Sequence, residues 1–281
     1  MRQAMAQTHT DHKNDIYIKA ENISLGRDVT FGRSIDIRLK GNFVIGDRSR
    51  LGDEVRIRGN NVTIGRDLFH SQGLRAGGGG SHHPNANLSI GDRCTMHNNF
   101  INLGEPVIIG NDVGLSPEVS ILTHGYWLSV LEGYPARFAP VTIRDGAIIG
   151  YRSLIMMGVT IGERAVIGAQ SVVTKNAEAN CIYAGNPARL IRKIAPPSAE
   201  VKPVLLTRIL KAYQSIAQYH SISPVIRATY PIVHVNKCRF NVEDLTFEGE
   251  EDEETDDFRD YVRKWGLRFY SERPFKSVWR W

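Results

Sequence analysis

The chain has 281 residues, of which 42% are hydrophobic and 23% charged, and its formal net charge at pH 7 is +5. Because Lys and Arg are scattered among Asp and Glu, this modest excess argues against nucleic-acid binding and indicates only a mild attraction for anionic ligands. No stretch approaches the roughly 20 apolar residues of a membrane-spanning helix, so we expect no transmembrane segment.

The first predicted element, residues 1–22, is a polar segment without the apolar core of a secretory signal. The cysteines Cys94, Cys181 and Cys238 are odd in number and lack metal-ligand spacing, a pattern typical of unpaired thiols in a reducing compartment. We therefore expect a cytoplasmic protein whose only contact with a membrane would be peripheral.

A repeat of six residues dominates the segment 23–194. Its clearest part places aliphatic residues six apart, and Gly follows several of them: Ile143, Ile149-Gly150, Ile155, Ile161-Gly162, Ile167-Gly168 and Val173. A period of six is neither the strand period of two nor the helical 3.6, so it describes one side of a larger repeating turn. The Gly is expected at sharp corners that need a positive φ. The sequence therefore predicts an all-β solenoid, a parallel β-helix in which three hexads form each triangular turn.

Two stretches, 70–87 and 124–140, break the repeat and predict loops ejected from the coil. In solenoids such insertions lie on the surface and often carry function. The first contains Gly77 to Gly80 followed by His82 and His83. Because the glycine run lacks the Gly-Lys-Ser/Thr ending of a P-loop, we do not expect it to cradle a nucleotide phosphate.

Residues 195–281 predict a small α+β extension. After Pro196-Pro197, apolar residues at helical spacing (Leu205, Ile209, Tyr213, Ile216) predict a helix over 204–219. A strand is expected over 232–240, then an acidic run, then a helix over 256–265. Aromatic residues crowd the end and are expected to pack or to bind a partner: Trp265, Phe269, Tyr270, Phe275, Trp279 and Trp281.

The segment from Val141 to Lys193 combines Gly158-Val-Thr-Ile-Gly, Val166-Ile-Gly-Ala-Gln-Ser-Val-Val-Thr-Lys and Gly185-Asn-Pro-Ala-Arg. With the looped-out His124, it resembles the hexapeptide-repeat acyltransferases. These are left-handed β-helix enzymes that transfer an acetyl group from acetyl-CoA, and the resemblance is to the branch that acts on sugars of surface polysaccharides or lipopolysaccharide. It covers residues 23–194 and implies a homotrimer that binds CoA between adjacent coils and completes each site from two subunits.

The resemblance also assigns roles to single residues. It implies CoA contacts at Gly150, Ala169, Thr174, Lys175, Arg189 and Arg192, and no metal. Cationic side chains suit this ligand because they give charge-assisted hydrogen bonds to its phosphates.

His124 is the expected general base, which takes a proton from the acceptor hydroxyl or amine during direct transfer. Imidazole suits this role because its ordinary pKa of about 6.5 leaves it largely neutral at physiological pH. The acceptor sugar is expected to contact His97, Asn99, Tyr126 and Trp127.

The chain departs from the family pattern at two places. Ile148 stands where the family often has Trp. The family often has an acidic residue shortly after the histidine, but here Gly125, Tyr126 and Trp127 follow, so the group that orients His124 stays unassigned, with Glu118 and Glu132 as weak substitutes.

Three other functions are compatible with the sequence besides sugar O-acetylation. They are N-acylation of a nucleotide-linked amino sugar, acetylation of a xenobiotic, and a non-catalytic scaffold that associates with polysaccharide-assembly machinery. The zinc ligands of γ-class carbonic anhydrases are absent, because positions 119 and 129 are Val and Ser.

Overall fold

The computed structural model describes residues 6–273, which form two compact units that divide between Ile194 and Ala195. The aromatic residues Phe275, Trp279 and Trp281 lie outside the described residues. The coil itself begins at Ile16, not at residue 23, because β2 (Ile16–Ala20) already pairs in parallel with β5 (Ile35–Leu39). The polar segment contributes β1 (Gln7–Asp11), which folds back antiparallel on β2.

The first unit is a parallel β-solenoid with three sheets, which the chain visits in turn. The first sheet contains β1, β2, β5, β8 (Val55–Gly59), β11 (Arg75–Gly77), β14 (Phe100–Asn102), β17 (Ser120–Ile121), β22 (Leu154–Ile155) and β25 (Val172–Val173). The second contains β3 (Asn22–Leu25), β6 (Asn42–Ile45), β9 (Val62–Ile64), β12 (Leu88–Ile90), β15 (Val107–Ile109), β20 (Val141–Ile143) and β23 (Thr160–Ile161). The third contains β4 (Thr30–Phe31), β7 (Arg50–Asp53), β10 (Phe69–Gln72), β13 (Thr95–Met96), β16 (Gly114–Leu115), β21 (Ile148–Ile149), β24 (Val166–Ile167), β26 (Cys181–Gly185) and β27 (Ala188–Lys193).

The hexad residues form the core of this solenoid. Ile143 stacks on Ile161, Ile149 on Ile167 and Ile155 on Val173, so residues three hexads apart occupy the same position in successive coils. All are buried, because each short strand directs its aliphatic side chain inward. The predicted parallel solenoid is confirmed. Its left hand, which the resemblance implies, stays a prediction.

The glycines that follow the hexad residues serve a different purpose from the one expected. Gly150 does not have a positive φ; the left-handed conformation falls two residues later, at Arg152, with a φ of 57°. A Cβ at Gly150 would lie 2.6 Å from the backbone nitrogen of Ala169 and 2.7 Å from the carbonyl oxygen of Ile167. Gly is therefore required here by the close approach of the next coil.

The two predicted loops differ in how far they leave the coil. The first is shorter than predicted, because β10 and β11 keep residues 69–77 in the sheets and the chain leaves only at Gly78. The repeat is hard to recognise in the sequence here because His70, not an aliphatic residue, occupies the inward position between Leu51 and Met96. The second loop is a hairpin of β18 (His124–Gly125) and β19 (Arg137–Phe138) that encloses a 3₁₀ helix at Val130–Glu132.

His70 is fully buried in the core, and the backbone N–H of Gly52 donates to its Nδ1 over 3.1 Å. Desolvation disfavours the charged imidazolium and lowers the pKa of His70 to about 4. The side chain is therefore neutral in the folded protein near pH 7.

The second unit is α+β, with its own core. Helix α1 (Val201–Tyr219) is followed by an antiparallel sheet of β28 (Ile226–Thr229), β29 (Ile232–Val235), β30 (Cys238–Asn241) and β31 (Thr246–Gly249), and then by α2 (Glu253–Arg263). The single predicted strand over 232–240 is wrong, since the chain turns at Asn236 between β29 and β30. The acidic run begins α2, where Asp252 caps the helix through the backbone N–H of Thr255.

The buried face of α1 agrees with the predicted one in part. Its buried residues are Leu206, Leu210, Tyr213 and Ala217; the predicted Ile209 and Ile216 are partly buried against the same core, and Leu205 is 42% exposed. Both faces satisfy helical spacing, so the pattern alone could not choose between them.

Candidate active site

His124 lies at the corner where the chain leaves the first sheet. It comes three residues after Ile121, whose partner in the preceding coil is Ile101. The same register places Asn102, Leu103 and Gly104 of that coil beside Leu122, Thr123 and His124. The surroundings of His124 are therefore built by residues about 20 positions earlier in the chain.

The side chain of Asn102 holds the His124 ring. Its Nδ2 donates to the carbonyl oxygens of Gly77 and Gly79 over 3.1 and 3.3 Å, which fixes the orientation of the amide. Its Oδ1 lies 2.7 Å from Nδ1 of His124 and also accepts the Thr123 hydroxyl over 2.5 Å. Because this oxygen can only accept, Nδ1 carries the proton and Nε2 keeps a lone pair. Nε2 is thus the atom that can act as a base.

Two glycines enclose the imidazole. A Cβ at Gly104 would lie 2.8 Å from Nδ1 of His124, and a Cβ at Gly79 would lie 3.4 Å from Nε2. A side chain at either position would displace the ring or fill the space beside it. The first ejected loop therefore contributes directly to the surroundings of His124.

Aromatic rings border the other side of the imidazole. The ring centroids of Tyr126 and Phe138 lie 5.2 and 5.7 Å from that of His124, and 5.3 Å from each other. All three side chains belong to the hairpin of β18 and β19. The predicted contact residue Tyr126 is therefore adjacent to His124, whereas Trp127 is 90% exposed and extends into solvent.

His97 and Asn99 lie at the opposite end of β14 from Asn102. The hydroxyl of Ser71 is 2.8 Å from Nδ1 of His97, and burial lowers the pKa of this histidine. Asn99 is buried, donates to the carbonyl oxygen of Ser116 over 2.8 Å and accepts the backbone N–H of His97. Within one chain the structure therefore does not bring these two residues together with His124.

The candidate CoA contacts occupy three places in the last coils. Thr174 and Lys175 follow β25, two strands along the first sheet from β17, so they share a corner with His124 at a distance of about 10 Å. Gly150 packs on Ala169 at another corner. Arg189 and Arg192 lie on β27, at the end of the third sheet, and both are exposed. Within one chain, the two arginines therefore lie away from the corner that carries His124.

The expected substitutes for an acidic partner of His124 are occupied elsewhere or solvent-exposed. Glu118 binds Arg152 and Tyr151, which keeps the pKa of Glu118 below its usual value. Glu132 is exposed in the 3₁₀ helix. The orienting residue is Asn102, which the sequence prediction missed; aligning the coils on Ile101 and Ile121 would have placed it at the same corner as His124, beside Leu122.

No protein-family model matches the chain. The chain is similar to galactoside O-acetyltransferase of Escherichia coli K12, with 33% identity over 138 residues, 48% of this chain and 63% of the relative. It is also similar to a candidate acetyltransferase of Saccharomyces cerevisiae, with 41% identity over 113 residues, 39% of this chain and 57% of the relative. The matches thus span about three fifths of these relatives' length.

A solved hexapeptide-repeat-containing acetyltransferase from Vibrio cholerae shares 22% identity, with a TM-score of 0.33 over 62% of this chain and 74% of that chain. The sequence relatives support the resemblance to hexapeptide-repeat acetyltransferases. Separately, among the helices of residues 6–273, none is long and apolar enough to cross a membrane.

Proposed function

We propose that the protein is an acetyl-CoA-dependent O-acetyltransferase that acts on a sugar of a surface polysaccharide or lipopolysaccharide. The observation that carries this proposal is the orientation of His124, whose Nε2 is left as an acceptor by the hydrogen bond between Nδ1 and Asn102. Its position on a hexapeptide-repeat coil, and the similarity to a galactoside O-acetyltransferase, favour a sugar hydroxyl as the group that it deprotonates.

In the proposed reaction, Nε2 of His124 accepts the proton of a sugar hydroxyl while the hydroxyl oxygen attacks the carbonyl carbon of the acetyl thioester. The tetrahedral adduct collapses by breaking its C–S bond, and the departing sulfur takes a proton from the imidazolium. The products are the acetyl ester of the sugar and free CoA. Asn102 keeps its hydrogen bond to Nδ1 throughout and stabilises the transient imidazolium by orientation.

The residues present fit acetyl-CoA, which supplies the activated acetyl group. Lys175, Arg189 and Arg192 are exposed cations that can bind phosphates, and the small side chain of Ala169 is exposed at its corner. Because the two arginines are separated from the corner of His124 within one chain, we propose a homotrimer in which neighbouring copies complete each site.

The first prediction tests the base. His124→Ala should lower acetyl transfer roughly 10²- to 10⁴-fold, the usual contribution of a positioned general base, with little change in CoA affinity. The measurement is thiol release from acetyl-CoA with and without a panel of sugars, with the products identified by mass as esters or amides.

His97→Ala is the matched control, since this histidine lies on the same coil as Asn102 but at the other corner. It should reduce the rate less than His124→Ala. An inactive His97→Ala with an active His124→Ala would show that the base is assigned to the wrong histidine, and thiol release that no sugar stimulates would remove the proposed activity.

A further inference from the structure

Within the glycine run Gly77 to Gly80, Gly79 is the member whose backbone conformation does not require glycine. Gly78 and Gly79 are exposed, and they lie against the side chains that form the candidate site. A Cβ at Gly78 would lie 3.2 Å from Nδ2 of Asn102 and 3.9 Å from Cζ of Phe100, while one at Gly79 would face Nε2 of His124 and the Tyr126 hydroxyl. The run therefore forms a side-chain-free surface between Phe100 and Tyr126, directly beside the basic atom.

This surface is held in place. Asn102 binds the carbonyl oxygens of Gly77 and Gly79, and the loop that follows is fixed by bonds from Ser81 N–H to the Gly78 carbonyl and from His83 N–H to the Gly80 carbonyl. The conformation also requires glycine, since Gly78 and Gly80 have φ values of 90° and 86°. The same amide group thus fixes both the imidazole and the glycine surface.

Its borders are aromatic and accessible. Phe100, Tyr126 and Phe138 are 39%, 53% and 52% exposed. A flat polar backbone between exposed rings, with one basic nitrogen at its edge, matches the chemistry of a pyranose, which has apolar C–H faces and a rim of hydroxyls. Ligand sites of this kind combine aromatic walls with a few fixed polar groups.

We infer that Gly78, Gly79, Phe100 and Tyr126 form the acceptor subsite, in which a pyranose ring lies against the glycine surface with one hydroxyl beside Gly79 and hydrogen-bonded to Nε2 of His124. This inference rests on the proposed function and names the place and chemical class of its acceptor. Phe100 and the glycines become specificity-determining residues; the base remains His124.

The key variant is Gly79→Ala. Gly79 is the member of the run without a positive φ, so alanine introduces a methyl group without left-handed strain. That methyl would lie 3.3 Å from Cε1 and 3.4 Å from Nε2 of His124, in the space assigned to the hydroxyl. We expect kcat/KM for the sugar to fall at least about tenfold, with an unchanged KM for acetyl-CoA.

Phe100→Leu is the second variant and keeps the test decisive if Gly79→Ala folds poorly. Loss of the ring should raise the sugar KM about threefold to tenfold. Its matched control is Phe69→Leu, which removes a phenylalanine of similar exposure, 44%, from the third sheet.

Gly114→Ala is the control for the glycine variant, because a Cβ there has nothing within 4 Å. Both controls should leave the sugar KM unchanged.

The experiment measures acetyl transfer to methyl β-galactopyranoside and to maltose, and, without acetyl-CoA, the saturation-transfer NMR signal of the same sugars. A lower kcat/KM for the sugar, or a weaker NMR signal, in Gly79→Ala and Phe100→Leu but not in the controls supports the subsite. If the unaltered protein acetylates a sugar and both variants keep its kcat/KM, the subsite is overturned while the proposed function stands.

If no sugar is acetylated, the proposed function fails, and the saturation-transfer signal then decides the subsite by itself. A signal that the unaltered protein gives and both variants abolish supports sugar binding at this surface. A signal that is absent from the unaltered protein, or equally strong in the variants, overturns it.

Discussion

Asn102 is a neutral partner for His124, where the resemblance to the acyltransferase family implies an acidic residue. The amide oxygen fixes the tautomer of His124 through a 2.7 Å hydrogen bond but adds no negative charge. It therefore orients the ring without favouring the imidazolium as strongly as a carboxylate would. In the proposed reaction this residue acts through His124, as a positioning group.

Substitution of Asn102 should separate orientation from charge. Asn102→Ala should lower kcat about 10- to 100-fold with the KM for acetyl-CoA unchanged, because the ring loses its anchor. In Asn102→Asp the carboxylate would stabilise the imidazolium, so the acid limb of the pH–rate profile should move to higher pH.

The matched control for this pair is Asn98→Ala, which alters an exposed asparagine of the same coil. It should leave both kcat and the profile unchanged. A purely structural role for Asn102 would lower the rate of both variants without moving the acid limb.

His70 makes the stability of the solenoid depend on pH. Its pKa of about 4 in the fold lies below the ordinary value of 6.5, so between these values the unfolded chain binds the extra proton. Stability from this group is complete above pH 6.5 and falls as the pH drops toward 4, by roughly 3 kcal/mol at most.

His70→Leu should therefore flatten the pH dependence. Leucine continues the aliphatic stack of Leu51 and Met96 but leaves the backbone N–H of Gly52 without its acceptor, so at pH 7 the variant should be somewhat less stable. Between pH 7 and 4.5 it should lose less unfolding free energy than the unaltered protein, as measured by urea titration. His12→Leu, at an exposed position, is the control; the same flattening in both variants would contradict the assignment to His70.

At the scale of elements, the last coils carry the expected cofactor contacts. Lys175→Ala, Arg189→Ala and Arg192→Ala should each weaken CoA binding by about 1.5 to 3 kcal/mol where the contact is charge-assisted. Calorimetry of CoA binding gives the affinity, and activity should largely return at saturating acetyl-CoA.

Lys211→Ala, an exposed lysine of α1, is the control and should bind CoA normally. A rate defect in the three variants that saturating acetyl-CoA does not relieve would assign them a different role.

The hexad predicted the solenoid because its physical cause is local: each inward position needs an aliphatic side chain, whichever coil it belongs to. The interpretation of the hexad failed at positions where contacts between neighbouring coils determine which residue is required. Gly150 is set by the backbone of the next coil, and the inward His70 hid two strands of the first predicted loop. In the second unit, the spacing of apolar residues was enough to predict a helix, but which face of α1 is buried depends on the elements that pack against it.

The site was predictable to the same extent. His124 is a prediction from the sequence, because a resemblance fixes its position relative to the repeat. Its partners Asn102, Gly79 and Gly104 are 20 to 45 residues away along the chain and meet it only through coil stacking. A single sequence reports such neighbours only when the coils are aligned on their inward residues.

At the scale of the whole molecule, each unit has a separate core. The first is the aliphatic interior of the coil, and the second is built by residues such as Tyr213, Phe240 and Phe258. The candidate CoA contacts and His124 all belong to the first unit.

A homotrimer is the expected assembly, because the candidate arginines are separated from the corner of His124 within one chain. Sedimentation equilibrium at micromolar concentration should give three chains of 31.5 kDa each. The measurement uses the unaltered protein. On dilution, activity should fall only at concentrations at which the trimer dissociates. A fully active monomer would contradict sites shared between subunits.

The antiparallel strand β1 has a consequence for how the protein behaves in a crowded solution. A coil of parallel strands ends in a row of unpaired backbone N–H and C=O groups, and identical copies could stack there end to end. β1 pairs antiparallel along β2, and β27 pairs antiparallel along β26 at one end of the third sheet, so at these two edges the outermost strand runs against the parallel direction that a second coil would continue. Removing residues 7–11 would expose the edge of β2. The coil of a second copy could then pair with β2 in parallel, and repeated pairing of this kind would favour the assembly of fibres.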